Sequence, residues 1–143
     1  LPAKITMPNV QGDEADAYKP VANVLEAAQQ RGIATGIVST SELQHATPAG
    51  FSAHAKSRSN YNDIAEQQVY RNMDVVLGGG VESLHEKRQD GENLLPVLEK
   101  QKYDVVTTRD ELLASTSDKI WGAFAPSAML YNLDRQALNT EQP

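Results

Sequence analysis

The segment ELQHATPAGFSAHAKSR, residues 42–58, places side chains that could bind an anion or a metal ion close together in the sequence. Arg58 carries a planar set of donors that matches phosphate or carboxylate oxygens and keeps its charge at any working pH. Thr47 offers a hard oxygen of the kind that Mg²⁺ prefers, and His45 could ligate a metal or orient a metal-bound water. No Asp or Glu occurs in residues 43–62, although the formal net charge of the chain is −6. These residue types indicate a candidate anion site.

Other polar residues carry weaker signals. Lys56 adds a positive charge near Arg58, but a loop lysine is usually a solvated surface charge. His54 could serve as a ligand, although a histidine among apolar neighbours more often packs through hydrogen bonds. The glycines of Leu77–Gly80 lack the GxGxxG spacing and the following Lys of a phosphate-binding loop, and they are more typical of a tight turn. His85 lies in a charged stretch and is predicted to be exposed.

The composition fits one globular domain. The chain has 143 residues, of which 40% are hydrophobic and 22% charged, so it can bury a single core. The acidic balance argues against nucleic acid or an anionic membrane surface as the main partner. The absence of cysteine excludes disulfides, thiolate metal sites and a cysteine nucleophile. No apolar run approaches the roughly 18 residues of a transmembrane helix. No signal peptide is recognisable, and the sequence starts like the middle of a longer chain.

Apolar periodicity predicts alternating helices and strands. Pro20 is placed in the first turn of the first helix and Gly32 just beyond its C-terminus, while Thr108–Glu111 match a capping box. Residues 43–59 are predicted to form a loop after the first strand, and the chain from Pro126 an irregular tail. This alternation favours an α/β fold with a mainly parallel sheet and flanking helices, in which sites lie beyond the carboxyl ends of strands. The predicted helices are 19–32, 60–73 and 93–102, and the predicted strands are 33–40, 74–80, 103–108 and 119–125.

The stretch GIVSTSELQHATPAGFSAHAKSR, followed by DVVLGGG, resembles the middle of an alkaline phosphatase. In that family a strand leads into a His/Asp-Ala-Thr/Ser-Pro-Ala turn, a His and an Arg follow, and a Leu-Gly-Gly-Gly strand end comes later. The segments VANVLEAAQQRGIATG, LLPVLEKQKYDVVTTRDEL and KIWGAFA are also similar to family segments. The resemblance covers residues 20–126 and implies the core of an alkaline-phosphatase-like fold. It leaves residues 1–19 unassigned and 127–143 as the tail of a partial domain, 1–143.

The resemblance implies a metal-dependent phosphomonoesterase that hydrolyses phosphate monoesters through a phosphoserine. Family members hold two Zn²⁺ ions and usually one Mg²⁺, which stabilise the entering and leaving oxygens. By motif, Thr47 matches the Mg²⁺ ligand, His45 matches a position near the same metal, and Arg58 matches the arginine that grips phosphate. A histidine at position 45 leaves open whether the third metal is Mg²⁺ or Zn²⁺. A loop without carboxylates suits this role, because phosphate carries about −1.5 to −2 charges.

Other family motifs are not found in this sequence. The Asp-Ser-Ala motif with the serine nucleophile does not occur, and Ser39, Ser41 and Ser52 match nothing in it, so no catalytic residue is assigned. The chain also lacks most zinc ligands. It therefore reads as an internal segment that is inactive alone and works with the remainder of the enzyme, of which the full form could be a homodimer. Family analogy implies a periplasmic or secreted location.

A different class of function also fits the residues. Arg58, Lys56 and the backbone amides near Gly78–Gly80 could form a non-catalytic α/β module that binds phosphate or another anion. A scaffold domain without a ligand would leave the His-Ala-Thr-Pro-Ala block unexplained. The sequence does not indicate which phosphate monoester would be preferred.

Overall fold

The computed structural model describes residues 4–7 and 18–143. They form an α/β fold in which a four-stranded parallel sheet, of order β1-β2-β4-β3, is flanked by helices, as the alternation predicted. Of the unassigned first 19 residues, 1–3 and 8–17 lie outside the described part. The elements are α1 (Val24–Gln29), β1 (Gly36–Glu42), α2 (Ala46–Ser52), α3 (Tyr61–Tyr70), β2 (Val75–Gly79), a 3₁₀ helix (Val81–Leu84), α4 (Leu95–Lys100), β3 (Asp104–Val106), α5 (Arg109–Ala114), β4 (Ile120–Ala123) and α6 (Asn132–Leu138).

The parallel register brings the carboxyl ends of the strands to one edge of the sheet. Gly36 of β1 pairs with Val75 of β2, which pairs with Ile120 of β4, and Ile120 pairs with Asp104 of β3. Loops that leave this edge are the usual place for binding sites in such sheets. The segment from residue 43 onward leaves it after β1.

The main core lies between the sheet and the helices, with Trp121 at its centre. Trp121 is fully buried, and its ring meets the Tyr103 ring edge-on with centroids 5.7 Å apart. The Tyr103 hydroxyl donates to the buried Met73 carbonyl. Burial, and then the Asp74 carboxylate, raises the pKa of Tyr103 to about 12, so this donor keeps its proton in the physiological range.

A second, smaller core supports the segment between β1 and α3. Ala49 of α2 and Ala53, the residue that follows α2, pack with Ile64 of α3 and with Ile5. Ile5 also pairs with Ala55 in an antiparallel bridge, with N–O distances of 2.9 and 3.0 Å. Residues 4–7 therefore hold the outer side of this segment in place.

The boundaries of the first helix differ from the prediction. The helix begins at Val24, and Pro20 lies before its first turn. The reason is a capping box, in which the Asn23 side chain accepts from the Glu26 N–H and the Glu26 carboxylate accepts from the Asn23 N–H, both at 2.9 Å. These two reciprocal hydrogen bonds stabilise a helix start at Val24, whereas Pro20 is only compatible with a first turn and does not stabilise one. Gly32, with φ of +69°, lies just beyond the helix end, close to where it was placed.

Two helices were missed and two other features are confirmed. Helix α2 occupies much of the predicted loop, and α6 occupies part of the predicted irregular tail. Helix α4 lies within the predicted range 93–102, and the capping box of Thr108 and Glu111 opens α5, as predicted. Among the described residues, no helix combines the length and apolar character needed to cross a membrane.

The three glycines after Leu77 allow close backbone packing. A Cβ at Gly79 would overlap the backbone carbonyl of Ser127, and one at Gly80 would lie 2.5 Å from the Gln44 Oε1 atom. Gly80 also has φ of +93°, a conformation that side chains disfavour. Gly78 and Gly79 therefore allow close packing at the end of β2, and Gly80 forms the tight turn into the 3₁₀ helix.

We expect Gly79→Ala to destabilise the fold by about 1–3 kcal/mol, because the added methyl group meets backbone that cannot move aside. Gly50→Ala is the matched control: Gly50 lies inside α2 with no atom within 4 Å of an added Cβ. It should stabilise the helix by about 0.5–1 kcal/mol. Urea unfolding followed by the fluorescence of Trp121, the only tryptophan, measures both. Equal midpoints for the two variants would contradict the packing argument.

Candidate functional site

The segment that carries the predicted site residues begins at the carboxyl edge of the sheet. The Leu43 N–H donates to the Gly79 carbonyl at 3.0 Å and so joins the end of β1 to the end of β2. The His45 N–H then donates to the Glu42 carbonyl at 2.9 Å, and His45 becomes the N-cap of α2. Its side chain makes no capping hydrogen bond, so the imidazole is available to other partners.

The structure brings His45 and Arg58 together at the surface. The Arg58 Nη2 atom lies 3.1 Å from the His45 Nε2 atom, and both residues are exposed. A guanidinium can only donate, so the imidazole must accept through Nε2 and carry its proton on Nδ1. The contact orients Arg58 without neutralising it. Within residues 4–7 and 18–143, Arg58 forms no ion pair with a carboxylate.

Thr47 lies in the first turn of α2 and lines a groove that includes neither His45 nor Arg58. The groove has a volume of about 450 Å³ and is also lined by Pro48, Phe51 and strand residues such as Val38 and Ser39. The Thr47 side chain is exposed, and its hydroxyl has no hydrogen-bond partner in the described part of the chain. Its oxygen is therefore free to bind a metal ion or to accept a hydrogen bond from the solvent side.

A buried network of amides supports this segment from below. The Gln68 Nε2 atom donates to the Leu43 carbonyl at 2.7 Å and to the Ser52 hydroxyl at 2.9 Å. The Gln44 Nε2 atom donates to Gln68 Oε1 at 3.3 Å. All three polar side chains are fully buried, so the network ties the strand end, α2 and α3 into one unit. Sequence reasoning missed it; the available signal was Gln68, one helical turn after the apolar Ile64 on α3.

His54 makes structural hydrogen bonds, and none of them involves Arg58. Its Nε2 atom is 2.8 Å from Glu26 Oε1, and its Nδ1 atom is 3.0 Å from the Thr6 carbonyl. Both partners are acceptors, so the imidazolium form satisfies both contacts. Arg71 also donates to Glu26 Oε1, at 2.6 Å. His54 therefore bridges α1 and residues 4–7, which was the packing alternative to a ligand role.

The other polar candidates from the sequence are partly engaged or buried in the structure. The Gly80 N–H donates to the Ala125 carbonyl at 3.0 Å, so this amide is not available to an anion. The Lys56 ammonium lies 5.3 Å from the centre of the Tyr18 ring, a cation–π distance. His85 is partly buried, with 25% of its side chain exposed, and so is less accessible than predicted. The glycine turn contributes packing, and the anion-binding potential of the site rests on Arg58.

The residues that could hold a metal are few. Across residues 4–7 and 18–143, no group of three or more His, Asp or Glu side chains has the geometry of a metal site. Thr47 offers a free oxygen, and the His45 lone pair at Nε2 is directed at Arg58. This part of the protein can therefore supply Thr47 as one ligand and His45 as a neighbour, but it does not form a complete metal site.

Comparison with known proteins identifies the family of the chain. The family model described as alkaline phosphatase matches residues 7–142. The chain belongs to the alkaline phosphatase family. It is 38% identical over 118 residues to alkaline phosphatase 3 of Bacillus subtilis, a match that covers 78% of this chain and 25% of that protein. The chain thus spans about a quarter of the length of this relative.

Solved alkaline phosphatases share the fold. The crystal structure of Thermus thermophilus alkaline phosphatase matches with a TM-score of 0.86 and 30% identity, covering 98% of this chain and 28% of that one. A mutant of the alkaline phosphatase of the Antarctic bacterium TAB5, described with Mg bound in its M3 site, matches with a TM-score of 0.77 and 30% identity. That match covers 90% of this chain and 35% of the other. The predicted family and α/β fold are confirmed.

The charge on Glu26 should make the stability of the fold depend on pH. Burial raises the pKa of this carboxyl, but hydrogen bonds from His54, the Asn23 N–H and Arg71 outweigh it and lower the pKa from its ordinary 4.5 to about 2. Because the folded pKa is the lower one, the stabilisation is complete above about pH 5 and is lost as the pH falls toward 2. Glu26→Gln should therefore destabilise the fold at pH 6, by an amount that shrinks at pH 3.

The control for this prediction is Glu66→Gln, on the exposed face of α3. Urea midpoints at pH 6 and pH 3 for both variants and the parent chain give the comparison. A Glu26→Gln effect that is the same at both pH values would show that the charge on Glu26 does not stabilise the fold.

Proposed function

We propose that this chain contributes the phosphate-binding part of a metal-dependent phosphomonoesterase. In this proposal the whole protein hydrolyses phosphate monoesters through a phosphoserine, and Arg58 binds the phosphate. The observation that carries the proposal is the exposed Arg58 guanidinium, oriented by His45 at the carboxyl edge of the sheet, within a stretch of twenty residues, 43–62, that has no carboxylate. Since the chain spans only about a quarter of its relative, the activity belongs to the whole protein.

The electrostatics of Arg58 suit a phosphate dianion. The guanidinium donates through one Nη2 contact to His45, which leaves further N–H groups for the nonbridging oxygens of phosphate. A bidentate arginine keeps its charge and geometry as the phosphoryl group develops charge during transfer. His45 accepts from Arg58, so its role is to position the guanidinium.

The metal part of the proposal rests on Thr47. Its free, exposed hydroxyl is a hard oxygen and fits Mg²⁺, an ion with which a related alkaline phosphatase is described. His45 lies two residues away at the N-terminus of α2; its Nε2 atom accepts from Arg58, so its remaining Nδ1–H could donate to a water bound to the ion. A bound ion would supply positive charge close to the reacting phosphate. We propose two Zn²⁺ ions, held mostly by residues outside this chain, and a third metal at Thr47.

The family relation also supports a proposal on location. By analogy with the alkaline phosphatase family, we propose a periplasmic or secreted location for the protein that carries this chain. This chain contains no cysteine and so forms no disulfide in such a compartment.

Removal of the Arg58 guanidinium should weaken phosphate binding. In the full-length protein, Arg58→Ala is expected to raise the inhibition constant of inorganic phosphate by about ten- to a hundredfold, the loss of a charged hydrogen bond. The bound Zn²⁺ should stay unchanged. Arg31→Ala, at an exposed position after α1, is the control. Unchanged phosphate inhibition in Arg58→Ala would remove Arg58 from the site.

Removal of the Thr47 hydroxyl should affect Mg²⁺ selectively. Thr47→Val keeps the shape of the side chain, so the fold and the Zn²⁺ content should be retained while Mg²⁺ affinity falls at least about tenfold. Metal analysis of the full-length protein after dialysis at fixed Mg²⁺ concentrations measures this. Thr116→Val, at an exposed position between α5 and β4, is the control. A normal Mg²⁺ content in Thr47→Val would exclude Thr47 as a ligand.

A further inference from the structure

A polar cleft opens beside Arg58 at the carboxyl edge of the sheet. Its volume is about 520 Å³, which is within the usual range for small-molecule sites. One wall is Glu42 at the end of β1, the second is the start of α3, and the third is the chain that follows β2. The side chains used below are Glu42, Ser59, Tyr61, Asp63, Lys87 and Gln89.

The cleft adjoins the phosphate-binding arginine. Ser59 follows Arg58 directly, and His45, which contacts Arg58, is hydrogen-bonded through its N–H to the Glu42 carbonyl. The Tyr61 hydroxyl donates to Glu42 Oε2 at 3.1 Å and closes the inner end of the cleft. A phosphate on Arg58 would therefore direct the rest of its molecule toward this cleft or toward solvent.

The lining is rich in groups that bind hydroxyls. Glu42 and Asp63 are acceptors, while Ser59 and Gln89 can donate and accept. Lys87 is the cation that lines the cleft, and its ammonium forms an ion pair with Glu82. A second phosphate or another anion in the cleft would meet two carboxylates and a cation that is already neutralised. Glu42 accepts from Tyr61 and Asp63 from Asn60, and the acceptor capacity that remains on both carboxylates suits hydroxyl donors, which an aromatic ring does not offer.

The wall at α3 is held firmly. The buried Arg88 donates from Nη1 to the Asn62 carbonyl at 3.2 Å and from Nε to Asp90 Oδ1 at 3.0 Å. This fixes the chain after β2 to the first turn of α3, so both sides of the cleft keep their spacing. A preformed cleft loses less entropy on binding than a mobile one.

We propose that this cleft binds the alcohol part of the phosphate monoester and favours a polyhydroxylated, sugar-like alcohol. The inference rests on the proposed phosphomonoesterase function and adds the class of substrate. Sugar hydroxyls would donate to Glu42 and Asp63 and accept from Gln89 and Ser59, while Arg58 holds the phosphate. Recognition of the alcohol and of the phosphate is then divided between separate residues.

The test compares two substrates in the full-length protein. The readout is the ratio of kcat/KM for glucose 6-phosphate to kcat/KM for p-nitrophenyl phosphate. Asp63→Asn removes a charged acceptor and should lower this ratio by about tenfold. Gln89→Ala, at an exposed position outside the helices, should lower it in the same direction and does not depend on the folding of α3. The control is Asp110→Asn, which also removes a carboxylate from the first turn of a helix but lies on α5, outside the cleft; its ratio should be unchanged.

The possible results separate the two proposals. A fall in the ratio for both cleft variants, with no change in the control, supports the sugar-binding cleft. Hydrolysis of both substrates with an unchanged ratio in Asp63→Asn and Gln89→Ala overturns the cleft assignment and leaves the phosphomonoesterase proposal intact. Hydrolysis of neither substrate by the parent protein, with Zn²⁺ and Mg²⁺ supplied, overturns both.

Discussion

The close approach of the ends of β1 and β2 is the constraint on which the rest of this structure depends. It requires glycine at positions 78 and 80, because a Cβ there would lie too close to Leu43 and to Gln44, respectively, while a Cβ at Gly79 would overlap Ser127 beyond β4. The hydrogen bond from Leu43 to Gly79 and the buried amides of Gln44 and Gln68 then join the next segment to this junction. The position of His45 and Arg58 follows from a turn that contributes no functional side chain of its own.

The candidate site combines a rigid base with an uncompensated charge. Carboxylates elsewhere in the fold are placed beside cations, as at Glu26 with Arg71 and at Asp90 with Arg88. Arg58 instead contacts a neutral acceptor, His45. In an acidic protein, such a cation keeps its attraction for anions, since within residues 4–7 and 18–143 no carboxylate forms an ion pair with it. Local composition thus decides the electrostatics of the site, while the net charge of −6 describes only the whole molecule.

Much of the fold could be predicted from the sequence, since strands and helices with clear apolar patterns occur in the expected order. The helix boundary at Val24 could not be predicted, because it depends on a reciprocal capping box. Helix α2 could not be predicted either, because its sequence contains Thr-Pro and Gly, residues that favour turns. For the site, the motif predicted His45, Thr47 and Arg58. It could not show that His45 faces Arg58 or that Gln68 supports both, because these contacts join residues from different elements.

The order of strands in the sheet constrains how the chain can fold during synthesis. β3 pairs with β4 and with no other described strand, although β3 precedes β4 in the sequence. A nascent chain that ends before Ile120 can join β1 to β2, but its β3 has no partner. Trp121 and its packing against Tyr103 arrive with β4. β4 therefore brings β3 into the described sheet and Trp121 into the core in one step, and a chain stalled before Ile120 would expose apolar surface on which chaperones act.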